Sequence, residues 1–133
     1  MAISPWVDAA SAESPDGRFV AIYDQAGEVA MGGPTAGRLV IKSRESGKRV
    51  AEYTDAGASF VWSADSSAVA FPRWTFDRMQ HLAVLKLAPK ELTTLNGLYS
   101  VLQLHSFSDG VIVGIDSPIH CPREVRVRAF DHA

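Results

Sequence analysis

The chain has 133 residues, of which 47% are hydrophobic, 21% charged and 9% aromatic. That is enough apolar content for the core of one ordinary domain, and too much for a disordered segment. Thirteen Lys and Arg against fifteen Asp and Glu leave a net charge of −2, too weak a field to recruit nucleic acid, and the single Cys121 excludes an internal disulfide framework and favours a reducing compartment.

The chain opens Met1-Ala-Ile-Ser-Pro-Trp-Val-Asp8, without the basic start and apolar stretch of an export signal. No apolar run approaches the ~18 residues of a membrane span, so a cytoplasmic chain with no membrane partner is expected. Apolar and β-branched runs then recur between Asp-Gly, Ser-Gly and Asn-Gly pairs, the pattern of an antiparallel all-β domain. Strands are predicted near 7–12, 18–24, 38–43, 49–54, 58–63, 68–74, 80–87, 90–95, 100–107, 110–116 and 124–130. Pro89 and Asn96-Gly97 interrupt the stretch Lys86–Leu98, which has the nearest approach to a helical period, and make it a hairpin. Val111-Ile-Val-Gly-Ile115 is apolar on both faces and suits a covered strand. In the last strand Glu124, Arg126 and Arg128 alternate with Val125, Val127 and Ala129, giving one wet face and one dry face. Met1 and the polar end Asp131-His-Ala133 are expected to be natural termini of one domain spanning 1–133, with a fragment of a longer chain as the alternative.

Aligning the turns exposes a repeat. Ser14-Pro-Asp-Gly-Arg-Phe-Val-Ala21 resembles Ser63-Ala-Asp-Ser-Ser-Ala-Val-Ala70, and Ser106-Phe-Ser-Asp-Gly-Val-Ile-Val113 is a looser third copy; the spacings are 49 and about 44 residues, close to a four-stranded repeat. Val40-Ile-Lys-Ser-Arg-Glu-Ser-Gly-Lys-Arg-Val50, followed by Phe60-Val-Trp-Ser-Ala-Asp-Ser66, resembles the repeats of WD-type propellers. Those run from a strand through a Ser/Thr-Gly-Lys hairpin into an apolar strand and a Ser-Pro-Asp-Gly turn. The resemblance covers most of 7–116 and departs from the strict pattern: Lys42-Ser43 replaces the Trp-Asp pair, and no Gly-His pair precedes the inner strand. It implies an all-β antiparallel meander of propeller-blade-like units at about 7–54, 58–95 and 100–130. An unrelated sandwich or barrel is the alternative. Closed propellers take four to eight blades, so the chain is too short to close a ring alone. Either its sheets fold back on themselves or chains associate, and a homodimer is expected.

The meander gathers connections 25–37, 72–79 and 116–123 on one rim, where binding residues concentrate in such folds. Arg73, Trp74, Phe76 and Arg78 in the middle connection are the residue types of protein-binding hot spots; alternatively, Trp74 and Phe76 are the inward face of an extended strand. The glycine-rich 25–37 lacks the following Lys-Ser/Thr and helix start of a phosphate loop and is expected to be a flexible connection. The third connection contributes His120 and Arg123, which flank Cys121. A nucleophilic thiol needs a base held across from it; His105 is the candidate, although a bland thiol is the simpler reading. His81, His105, His120 and His132 have no ligand spacing; a metal site from Asp116, His120 and His105 has no further support. Asp16, Asp65 and Asp109 sit where turns use Asp. No cofactor, metal or catalytic residue is therefore expected. The sequence points to a noncatalytic protein-binding module, narrowly a small bacterial inhibitor or immunity-type protein. The alternatives are a self-associating structural subunit and a small enzyme using Cys121.

Overall fold

The computed structural model describes residues 2–130; Met1 and residues 131–133, with His132 and the expected C-terminus, lie outside the described residues. Eleven strands follow one another: β1 (Ala10–Glu13), β2 (Phe19–Glu28), β3 (Thr35–Ser43), β4 (Arg49–Gly57), β5 (Val61–Trp62), β6 (Ala68–Trp74), β7 (Gln80–Leu87), β8 (Lys90–Thr94), β9 (Leu102–Ser108), β10 (Val111–Asp116) and β11 (Arg123–Arg128). All pairing is antiparallel between neighbours in the chain, apart from one β4–β6 contact at Ala56 and Arg73. That contact joins two four-stranded meanders, β1–β4 and β5–β8, into one sheet, while β9–β11 form a second sheet. Among the described residues neither sheet closes on itself. Each predicted strand corresponds to an observed one.

Two turns with the same construction start the first two units. Ser14 Oγ donates to Asp16 Oδ1 at 2.8 Å and accepts from Phe19 N at 3.1 Å. Ser63 Oγ does the same with Asp65 at 2.8 Å and Ala68 N at 3.0 Å. Ser66 Oγ accepts from Asp16 N at 2.9 Å, tying the turns together. The repeat found in the sequence is thus a repeat of hydrogen bonds, and these aspartates do structural work. The Arg18 backbone N–H, with the Ser14 hydroxyl and the Arg18 guanidinium, holds the Asp16 carboxyl at about 2 against an ordinary 3.8. Ser67 lowers Asp65 and Arg38 lowers Asp24. A carboxyl that is more acidic when folded stabilises the fold above its unfolded pKa and loses that contribution as pH falls through its folded pKa. Urea midpoints are therefore expected to hold above pH 4 and to fall between about pH 4 and pH 2. Asp16→Asn should shrink that fall, and an unchanged pH slope in this variant would contradict the assignment.

The three units, two of them halves of one sheet, pack face to face through two cores. Ala21, Tyr23, Leu39 and Ile41 of the first unit meet Val69, Phe71, Ala83 and Leu85 of the second. The opposite face of the second unit, with Ala68, Ala70, Leu82 and Val84, meets Leu102, Leu104, Phe107, Ile112 and Val125 of the β9–β11 sheet. Each face follows from the period of two along a strand, so the parts of β6 and β7 covered on both sides, 68–71 and 82–85, are apolar at every position.

The glycine-rich 25–37 is not the flexible connection the sequence suggests. Strand pairing continues to Gly27↔Ala36 and Glu28↔Thr35 past a bulge, leaving only 29–34 between strands. A β-carbon at Gly37 would sit 2.9 Å from the Tyr23 ring and 2.8 Å from the Asp24 carbonyl oxygen. Glycine here is a packing requirement. The other two expected connections also shorten, to 75–79 and 117–122.

Candidate functional site: a hydrogen-bonded rim

Antiparallel alternation places the connections 29–34, 75–79 and 117–122, with the between-unit connections 58–60 and 95–101, along one rim of the stack, at a common end of the strands. Hydrogen bonds link most of them into a continuous chain. Trp74 Nε1 donates to Thr35 O at 3.1 Å, holding the second unit's rim against the first. Thr35 Oγ1 donates to Val7 O at 2.8 Å, so the buried Tyr23 hydroxyl, 2.8 Å away, donates to Thr35. Gln80 and Tyr99 exchange backbone hydrogen bonds at 2.7 and 2.9 Å, and the buried Gln80 side chain accepts from Leu102 N at 2.6 Å. Asp116 Oδ1 accepts from Ser100 N and Val101 N, both at 3.0 Å. The loops are thus held by fixed partners, and their tips are presented on a rigid base.

The predicted residues separate into struts and free groups. Arg73 is a strut: its guanidinium makes a bidentate pair with Asp55 at 3.0 and 2.9 Å and lies over the Tyr53 ring at 5.2 Å. Trp74 is half-buried and engaged as above. Phe76, two residues on, is fully exposed, so the structure does not make the two aromatics one face. Arg78, His120 and Arg123 are exposed.

Three further residues have no counterpart in the sequence reading. Among the described residues the exposed large hydrophobics are Met31 at 100%, Phe76 at 106%, Ile119 at 64% and Leu98 at 52%. Each stands on a different connection of this one rim. The signal was a lone large apolar residue inside a polar or glycine-rich turn, as in Ala30-Met-Gly-Gly33, Asn96-Gly-Leu98 and Ser117-Pro-Ile119.

The chemistry-bearing side chains do not converge. Cys121 and His120 are exposed, and no hydrogen bond joins them among the described residues. His105 lines a cavity of about 340 Å³ with Val113, Ile115, Pro122, Arg123 and Glu124, and Cys121 is not in its lining. Asp116 is occupied by backbone N–H groups. No group of three or more His, Cys, Asp or Glu side chains that could hold a metal occurs among the described residues. Among the described residues no helix is long and apolar enough to cross a membrane.

Solved structures share this architecture. The chain aligns over 96% of its length with the β-propeller domain of Cps50 (Swd1) from Myceliophteria thermophila, at 13% identity and a TM-score of 0.50, and covers 38% of that chain. It aligns over 97% of its length with the β-propeller domain of the Trilobed protease from Pyrococcus furiosus, whose topology is described as open velcro, at 12% identity and a TM-score of 0.50, covering 43% of that chain. The chain is built of propeller-type repeats and spans less than half of either propeller. No protein-family model matches the chain, and no curated protein matches it.

Proposed function

We propose that this chain is a noncatalytic protein-binding module, folded as one domain in the cytoplasm, and that its partner docks on the rim of 29–34, 75–79, 95–101 and 117–122. The observation that carries this reading is the placement of Met31, Phe76, Leu98 and Ile119 on one end of the molecule. Scattered exposed hydrophobics need no explanation, but their collection on one surface marks interaction sites. Arg78, His120 and Arg123 add polar donors around them, matching the apolar centre and polar rim of protein interfaces. In the narrower form of this reading the module masks a toxin or enzyme, as an inhibitor or immunity-type protein does: a surface on which no reactive groups converge among the described residues suits a protein that acts by occupying its target.

A photo-crosslinking residue placed in turn at Met31, Phe76 and Ile119 is expected to trap one and the same protein in cells of the source organism. The same residue at Glu45, in a turn of the opposite rim, should not trap it. With that protein purified, Phe76→Ala and Arg78→Ala should each weaken binding by at least about 1 kcal/mol, as hot-spot truncations do. Equal capture at Glu45, or unchanged affinity in both variants, would remove the rim from the account. Loss of the captured protein's own activity on adding the chain would support the inhibitor reading.

A further inference from the structure

The two ends of the stack are finished differently. On the outward face of the first unit Val20, Ile22 and Val40 lie among Glu13, Asp24, Arg38, Lys42, Arg49 and Glu52. Asp24 and Arg38 form a bidentate pair at 2.9 and 3.0 Å, and Arg49 pairs with Glu52. That end is capped by paired charges, as terminal repeats of stacked arrays require. The outward face of the β9–β11 sheet is not. Its centre is the half-buried stripe Val111, Val113 and Ile115 on β10, bordered by the cavity of about 340 Å³ at His105 and Glu124.

The register gives this face a property of its own. Across β10–β11, Val111 stands beside Arg128, Val113 beside Arg126 and Ile115 beside Glu124. A twofold axis lying in the face, perpendicular to β10 at the level of Val113, therefore satisfies two pairings at once. Val111 of one copy comes to lie over Ile115 of the other, and Arg128 over Glu124 of the other. Arg126, which approaches its equivalent on the axis, already has its own Glu124 at 3.4 Å. On β9, the polar Ser108 and Gln103 occupy the corresponding outer positions. One patch complementary to itself under rotation is the requirement for an isologous dimer.

We infer that a second copy of this chain packs on the outward face of the β9–β11 sheet, with Val111, Val113 and Ile115 at its centre and Glu124–Arg128 pairs at its flanks. Three strands of about six residues make a face of roughly 20 by 14 Å. That is smaller than the standard size of a specific interface, so the dimer is weak, reversible and dependent on concentration.

The test is sedimentation equilibrium of the whole chain from about 5 to 500 μM. The wild type should pass from one-chain to two-chain mass across that series. Val113→Asp, which places a charge in the stripe, should raise the dissociation constant at least tenfold, with far-UV circular dichroism confirming that it remains folded. Glu124→Arg and Arg128→Glu each remove the cross-axis pairs and should weaken the dimer several-fold, and the combined swap should restore it. These two residues are exposed, so this arm reads the interface even if Val113→Asp does not fold. One-chain mass at every concentration overturns the proposal and leaves the face for a different occupant. A dimer insensitive to Val113→Asp, or a charge swap without rescue, overturns this face and this register. Because Phe76 and Arg78 lie on the rim and not on this face, failure here leaves the proposed rim function standing.

Discussion

Phe71→Ala is expected to destabilise the fold by about 4 kcal/mol, because it empties the core between the first two units. Phe71 has no solvent exposure and its ring lies 5.1 Å from that of Tyr53. It belongs to the cluster that joins Leu39 and Ile41 of β3 to Ala83 and Leu85 of β7. Truncation removes the transfer energy of the ring and leaves a cavity that four strands of fixed register cannot collapse around. The melting temperature should fall by about 15 °C for a chain of this length. Phe76→Ala is the matched control: the same chemistry is deleted at a fully exposed position, so stability should change by no more than about 0.5 kcal/mol. A similar loss in both variants would mean that Phe71 does not hold the units together.

The second large effect is expected at Gly114. A β-carbon there would fall 2.5 Å from the Gln103 carbonyl oxygen and 3.1 Å from the Leu104 α-carbon. Both are backbone atoms of β9, so no side-chain rotation relieves the clash. The approach arises from the bulge between Val113 and Gly114, where β9 carries one extra residue. Gly114→Val should therefore cost about 3 kcal/mol, the upper part of the range for overpacking. It should also loosen the packing of Leu104 and Ile112 against β6 and β7, seen as a lowered urea midpoint with reduced near-ultraviolet dichroism. Val113→Ala, one residue away on the outward face, should move the midpoint far less. A midpoint for Gly114→Val within about 0.5 kcal/mol of the wild type would show that the two strands can separate freely.

Most of the fold was legible because its signals are local. The strand alternation of Glu124–Ala129 and the Ser-x-Asp turns at 14–17 and 63–66 each act within a few residues, and their hydrogen bonds form within the segment itself. The extent of β2 and β3 was not legible. Gly27 and Gly37 read as loop residues, yet the chain pairs through them because a bulge at Asp24–Gly27 and the Tyr23 ring fix the backbone there. The rim shows the same division. Phe76 and Arg78 were found from residue type alone, whereas Met31, Leu98 and Ile119 lie far apart in the chain and each, alone, is one apolar residue in a turn.

The sequence by itself determined an all-β meander with a repeat of between 40 and 50 residues and too few strands for a closed ring, because turn chemistry and side-chain alternation are properties of neighbouring residues. Tertiary structure decided which residues are free. Arg73 is held by Asp55, and Trp74 by the Thr35 carbonyl, partners 18 and 39 positions away that no local pattern names. It also decided that one end of the stack is capped by ion pairs while the other presents Val111, Val113 and Ile115. In the sequence Val111, Val113 and Ile115 read as no less apolar than Ile112 between them; only the packing of β10 makes Ile112 core and leaves the other three on a surface.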